Sequence, residues 1–344
     1  MKLHFLPRAA LALLAGLLAS APAAAQSGGD FFRGRDVRLL IGAAPGGTYG
    51  LYAQLAARHM RQHIPGQPNI IMQNMPGAGG LVALNYSYAV APKDGTLVHL
   101  IHAEVLYETL LTKDAKFNAR DYLWIGRFAD ADSLVLATRQ SGVKSLDIAK
   151  AREVTLGATG IANIYALAPM MLNRLAGTKF RIIGGYKGTA DILIAIERGE
   201  LDGAGVTLAN ALSLHGEKLR SGELAPVFAI AAKRLPDFPD VPAFTEFASG
   251  ADRTLLDIYA SVGTIGRALA YPPGVPDERL RIMREAFQKT LTDAAFQAEA
   301  KKLSAPVSPL SGEQIAAEVA RVMSTPARDI EAARVLHEEL LKPK

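Results

Sequence analysis

The chain has 344 residues, 49% of them hydrophobic and 21% charged, with a formal net charge of +5 at neutral pH and no cysteine. That size and balance predict a packed globular protein of one large unit or two lobes and argue against intrinsic disorder. The missing thiols exclude disulfides, thiolate catalysis and cysteine metal sites, and the mild, scattered positive charge without interleaved aromatics leaves no nucleic-acid footprint.

The first residues carry an export pattern. Lys2 and Arg8 are its positive part, Ala9 to Leu18 its apolar run, and Ala23-Ala24-Ala25 a small-residue cleavage site before Gln26. Residues 1–25 therefore read as a cleaved signal peptide, because the apolar run falls short of the ~20 residues a membrane span needs. No later run is long enough to span, so the expected product is soluble and periplasmic.

Strands and helices then alternate. Val37 to Ile41 reads as a strand, Thr48 to His63 as a helix, Asn69 to Gln73 as a strand, Gly80 to Val90 as a helix and Gly95 to Ile101 as a third strand. This rhythm implies parallel βαβ units. It breaks at Tyr122–Phe128 and Ser133–Thr138, two apolar runs with no helix between them, which reads as a crossing between lobes. The rhythm resumes with a strand over Val154–Ala158, a helix over Ile164–Leu175, a strand over Phe180–Gly184, a helix over Ala190–Arg198, and strands at Leu201–Val206 and Leu224–Ala231. Ser261 to Ala268 reads as the return crossing. After Pro272-Pro273-Gly274-Val275-Pro276, Leu280, Met283, Phe287 and Leu291 share one helix face, Ser311-Gly312-Glu313-Gln314 is a capping box, and Arg328–Leu341 is an amphipathic tail. The expected architecture is α/β and two-lobed, each lobe a mixed, mainly parallel sheet flanked by helices, with a ligand cleft between lobes. Residues 31–130 with 255–344 form the first lobe, and residues 131–254 the second.

Two glycine turns stand out. Ile41-Gly42-Ala43-Ala44-Pro45-Gly46-Gly47-Thr48-Tyr49-Gly50 joins the first strand to its helix, and Asn74-Met75-Pro76-Gly77-Ala78-Gly79-Gly80 follows the second strand. A strand that ends in such a turn and enters a helix presents free N–H groups at the positive end of the helix dipole, which suits an anion. Taken alone, either turn is equally a tight βα connection. Neither is a Walker A loop or a complete dinucleotide fingerprint.

Other candidates read as structural. His59 and His63 have metal-ligand spacing but lack the glutamate of a metalloprotease motif, and a surface helix face is the favoured reading. His102 stands just past the third strand, within reach of the cleft. Asp202 follows a tight Gly-Glu turn and either faces the cleft or orients the turn. Trp124 is read as core. No serine sits in a nucleophile elbow. No metal site, cofactor or catalytic residue is expected.

The ordered motifs Pro45-Gly-Gly47, Pro76-Gly-Ala-Gly-Gly80, Pro92-Lys-Asp-Gly-Thr96, Tyr186-Lys-Gly-Thr-Ala-Asp191, Arg198-Gly-Glu-Leu-Asp-Gly203, Pro239-Asp-Val-Pro-Ala-Phe-Thr-Glu246 and Pro272-Pro-Gly-Val-Pro276 resemble those of the substrate-binding proteins of tripartite tricarboxylate transporters, the Bug family. The resemblance covers nearly the whole mature chain. It implies a type II-like periplasmic solute-binding protein, not an enzyme, that closes on a small organic carboxylate and delivers it to integral-membrane permease subunits. A sensing role at a membrane receptor has the same sequence signature, and a periplasmic hydrolase is the lesser alternative. A monomer is expected.

In that family, backbone amides and ordered waters from the first two turns hold one carboxylate. By this likeness the contacts are Gly46, Gly47, Thr48, Tyr49, Ala78 and Gly79 from the first lobe, with Thr159, Gly160, Ala162, Asn163, Tyr186 and Asp202 from the second. One departure matters. The family pattern Gly-Gly-x-Thr-Asp, with a following Arg, is replaced here by Thr48, Tyr49, Gly50 and Gln54. Losing the carboxylate at Gly50 removes the partner for a ligand ammonium and favours a plain or aromatic acid over an amino acid.

Overall fold

The apolar run after Asp36 forms an inner strand, buried on both faces as a strand flanked by helices must be. In the computed structural model, which describes residues 30–112, 115–186 and 189–342, it is β1 (Asp36–Ile41). The expected signal peptide and Lys187-Gly188 of the Tyr186 motif lie outside the described residues. The chain continues through α1 (Gly47–His59), β2 (Asn69–Asn74), α2 (Leu81–Ala89), β3 (Leu97–Leu100), α3 (Val105–Leu111) and β4 (Leu123–Arg127). It then crosses to β5 (Ser133–Thr138), α4 (Leu146–Ala151), β6 (Val154–Gly157), α5 (Ile164–Ala176), β7 (Phe180–Ile183), α6 (Thr189–Glu197), β8 (Gly203–Thr207), α7 (Leu208–Arg220) and β9 (Leu224–Ile230). It returns through α8 (Gly250–Ile265) to β10 (Ala268–Tyr271), α9 (Asp277–Thr292), α10 (Ala294–Lys302), β11 (Leu310–Ser311), α11 (Gly312–Met323) and α12 (Ala327–Leu341).

These strands make two sheets, one ordered β11-β4-β10-β3-β1-β2 and the other β7-β6-β8-β5-β9. In the first, β1 to β4 run one way and β10 and β11 run against them; in the second only β5 opposes its neighbours. The two lobes are thus mixed sheets covered by helices. Leu39 and Ile41 pack with α1 and α9 on one face of the first sheet, while Leu40 packs with Ala83 of α2 on the other. A single apolar cluster runs from Ile101 and Leu106 through Leu255 and Tyr259 of α8 to Val135, Leu167 and Phe228 beneath the second sheet.

The two crossings are hydrogen-bonded together. Phe128 N–H donates to the Arg267 carbonyl (3.0 Å), Arg267 N–H to Ala129 (2.8 Å), and Ala131 N–H to Gly263 (3.0 Å). Gly266 has φ +51°, and a Cβ there would lie 2.1 Å from the Ala129 carbonyl oxygen, so no larger residue fits this junction.

The chain differs from the expected elements in places. The first helix ends at His59, and Arg61–His63 is a separate 3-10 turn ahead of Pro65-Gly66. His59 Nε2 meets Glu299 at 2.7 Å and His63 Nε2 meets Asp293 at 3.1 Å, so each histidine has its own carboxylate partner, Glu299 on α10 and Asp293 just before it. The return crossing expected at Ser261–Ala268 is the end of a full helix, α8, and the start of a short strand. Trp124 is 1% exposed and packs in the core, as its composition suggests.

Candidate functional site

Because β2 and β3 pair in parallel with β1, Asn74 and Leu100 both align with Ile41. Their following turns therefore meet at one edge. In the first turn, Gly46 is the N-cap of α1 with φ +94°, no side chain caps the helix and its first turn holds no acidic residue. Among the described residues the amides of Gly47, Thr48 and Tyr49 have no acceptor. In the second turn Gly77, Ala78, Gly79 and Gly80 all have positive φ (143°, 45°, 65° and 99°). Gly80 N–H bonds Gly77, while the amides of Ala78 and Gly79 again find no acceptor among the described residues. Consecutive amides in such a conformation form an anion-binding concavity. Asn74 Nδ2 donates to the Ala43 carbonyl (2.8 Å) and ties the two turns together. The left-handed Ala78 costs about 1–2 kcal/mol that glycine would not, a strain of the kind that gathers at ligand sites.

Behind the turns sits a cluster of polar side chains. The His102 ring stacks on Tyr49 (centroids 4.8 Å apart). It lies so close to Gly80 that a Cβ there would sit 2.2 Å from Cδ2. Its Nδ1 meets Glu104 Oε2 at 2.5 Å. Tyr49 Oη accepts the Ala103 N–H (2.9 Å), and burial pushes its hydroxyl well above the usual range. Burial would raise the Glu104 carboxyl, but the His102 charge and hydrogen bond, and the charge of Arg267, together hold it below the usual range.

Arg267 was not singled out by its sequence context. It is 7% exposed and stands immediately before β10, at the same edge as the glycine turns. Its guanidinium lies 4.3 Å from the Tyr49 ring centroid, Nη2 donates to Thr48 Oγ1 (2.9 Å), and Nη1 reaches only the Gly266 carbonyl (3.4 Å). Nε is buried without an acceptor.

From the second sheet, Thr159, Gly160, Ala162 and Asn163 follow β6 at its carboxyl end. Asn163 is the N-cap of α5, and its Oδ1 accepts from Tyr165 N–H (2.9 Å), so this helix end is largely satisfied by its own side chain. Tyr107 of α3 donates across to the Ala162 carbonyl (3.5 Å), and the Tyr165 hydroxyl meets Ser133 Oγ at 3.3 Å. Tyr186 follows β7 and packs beside Ile192 and Ala204. Asp202 is elsewhere: it precedes β8, at the amino end, where its Oδ2 accepts from Thr155 N–H (2.8 Å) and Oγ1 (3.2 Å) with Arg152 at 3.6 Å. It orients the turn and is not brought to the shared edge.

A cavity of about 600 Å³ opens between α6 and α7 over β8. Thr159 and Asn163 are among its lining residues; Ile192, Ile196, Ala204 and Val206 give it apolar walls, and Arg139, Glu197, Lys218 and Glu223 line it as well. Among the described residues no three His, Cys, Asp or Glu side chains are grouped so as to hold a metal.

The model of the tripartite tricarboxylate transporter family receptor matches residues 52–321. The match begins just after the first glycine turn. A UPF0065 protein from Cupriavidus necator is 27% identical over 295 residues, covering 84% of each chain. MatC from Rhodopseudomonas palustris, solved with bound malate, superposes with a TM-score of 0.61 at 21% identity, covering 90% of this chain and all of its own. An R. palustris protein solved with adipate gives 0.62 at 19% identity, covering 87% and 97%. These structures establish the fold. With most of the sequence matched by the family model and both lobes present, the chain belongs to the tripartite tricarboxylate transporter receptor family.

Proposed function

We propose that this receptor binds a small organic acid where the carboxyl edges of its two sheets meet, and passes it to a membrane permease of the tripartite tricarboxylate type. The observation that carries the reading is the pair of glycine turns, whose free amides at Gly47, Thr48, Tyr49, Ala78 and Gly79 converge on one edge. Gly46 sets the turn, and Thr159, Gly160 and Ala162 face it from the second lobe, with Asn163 and Tyr186 shaping the rim. Closure brings residues 31–130 and 255–344 against 131–254. The family's structural relatives solved with malate and adipate support a small carboxylate, and the apolar walls of the cavity that Thr159 lines give room for a hydrocarbon body. The protein is a binding component rather than an enzyme and acts in the periplasm, with residues 1–25 as its cleaved export signal.

A thermal-shift screen with malate, succinate, adipate, citrate and benzoate tests this. A ligand present at 100 times its Kd adds about 2.7 kcal/mol to stability. At least one acid should raise the melting temperature, and a flat response to all of them refutes the reading.

A further inference from the structure

We propose that the Arg267 guanidinium is the charged partner of the bound acid group, so that the cleft selects an ionised carboxylate by an ion pair and not by backbone amides alone. The proposal rests on the carboxylate-binding reading of the same cleft. Arg267 is fixed on both sides: its backbone pairs with Phe128 and Ala129, and its side chain is held by the Tyr49 ring and the Thr48 hydroxyl. Among the described residues no carboxylate comes within 4 Å of it, and Nε lacks any acceptor. Glu104, whose charge it feels, is engaged by His102. A buried cation without its anion is unfavourable, and such a group is stable in a fold only if something else requires it.

What requires it is legible nearby. Thr48, which accepts from Nη2, lies in the first turn of α1, whose amides are uncapped and whose dipole is also positive. Two independent sources of positive potential therefore converge on one place that no protein anion fills. A guanidinium there gives charge-assisted, directional hydrogen bonds to a planar carboxylate. A neutral amide or ester of the same shape cannot neutralise the charge.

The test uses the full mature protein and two variants, Arg267→Met and Arg267→Lys, with adipate, malate and benzoate as probes and adipamide as the uncharged control. Where an acid binds wild type, Arg267→Met should lose at least 100-fold in affinity by calorimetry. Arg267→Lys should recover part of that loss, and adipamide should not bind. Undiminished acid affinity in Arg267→Met, or equal affinity for adipate and adipamide in wild type, overturns the proposal. If no probe binds wild type, the carboxylate reading fails first, and the ligand-free variants then decide the role of Arg267. Arg267→Met melting at or above wild type supports an unpaired charge that awaits an anion. Melting clearly below wild type shows a structural guanidinium and overturns it.

Discussion

Gly80→Ala is the most informative single change, because one neighbouring glycine serves as its control. Gly80 has φ +99° and a Cβ there would fall 2.2 Å from His102 Cδ2 and 2.5 Å from Cγ. Gly79, in the same turn, has φ +65° and nothing within 4 Å of its Cβ position. Alanine at either site meets backbone strain of about 1–2 kcal/mol. At Gly80 it also overpacks the His102 ring, which adds about 1–3 kcal/mol. The ring cannot swing away freely, since it is stacked on Tyr49 and bonded to Glu104. Gly80→Ala should therefore cost roughly 2–5 kcal/mol and Gly79→Ala roughly 1–2. Urea unfolding measures both, provided the slope m is unchanged. Adding His102→Ala to Gly80→Ala should restore the overpacking part, a coupling of about 1–3 kcal/mol. If Gly80→Ala costs no more than Gly79→Ala, or the double variant recovers nothing, the packing of His102 between the glycine turns is wrong.

Two other outcomes concern charge. Asp132, at the crossing, has its carboxyl pushed up to about 6 by burial and by Asp130, against the opposing charges of Arg127 and Lys233. The folded state thus binds the proton more tightly than the unfolded chain, so this group favours folding most below its ordinary value near 3.8 and that advantage is lost as pH rises through about 6. The loss amounts to roughly 3 kcal/mol at most; Asp132→Asn should flatten the stability profile between pH 4 and 7, and an unchanged profile refutes the assignment. Gly50→Asp, at a helical position with nothing within 4 Å of its Cβ, should improve aspartate binding relative to malate. A charge-assisted hydrogen bond of about 1.5–3 kcal/mol corresponds to roughly 10- to 100-fold; an unchanged affinity ratio, read by calorimetry, excludes an ammonium site there.

Local signals carried much of the fold. The run Val37–Ile41 is β1, and the Ser311 capping box forms as expected, Ser311 Oγ accepting from Gln314 N–H and Gln314 Oε1 from Ser311 N–H. The helix with Leu280, Met283 and Phe287 on one face is α9. α8 escaped this reading for a physical reason: Asp252, Arg253 and Asp257 give only its first two turns a polar face, while from Ile258 to Ile265 it is buried nearly all round and no helical period shows. The glycine turns with their free amides were legible because their conformation is local. The place of Arg267 beside them was not legible, since its partner Thr48 lies 219 residues earlier and only the fold joins them. A charged residue heading the apolar strand Ala268–Tyr271 was the available signal. Asp202 shows the opposite limit: the residues reveal a turn beside a strand, but not which end of the sheet that turn occupies.

The apolar cluster that passes under α8 from one sheet to the other has a mechanical meaning. The lobes share a continuous apolar spine, so any swing between them must keep Leu255 and Tyr259 packed or expose them to water at a cost. Ligand capture in such a molecule resembles the closing of a book bound along its back.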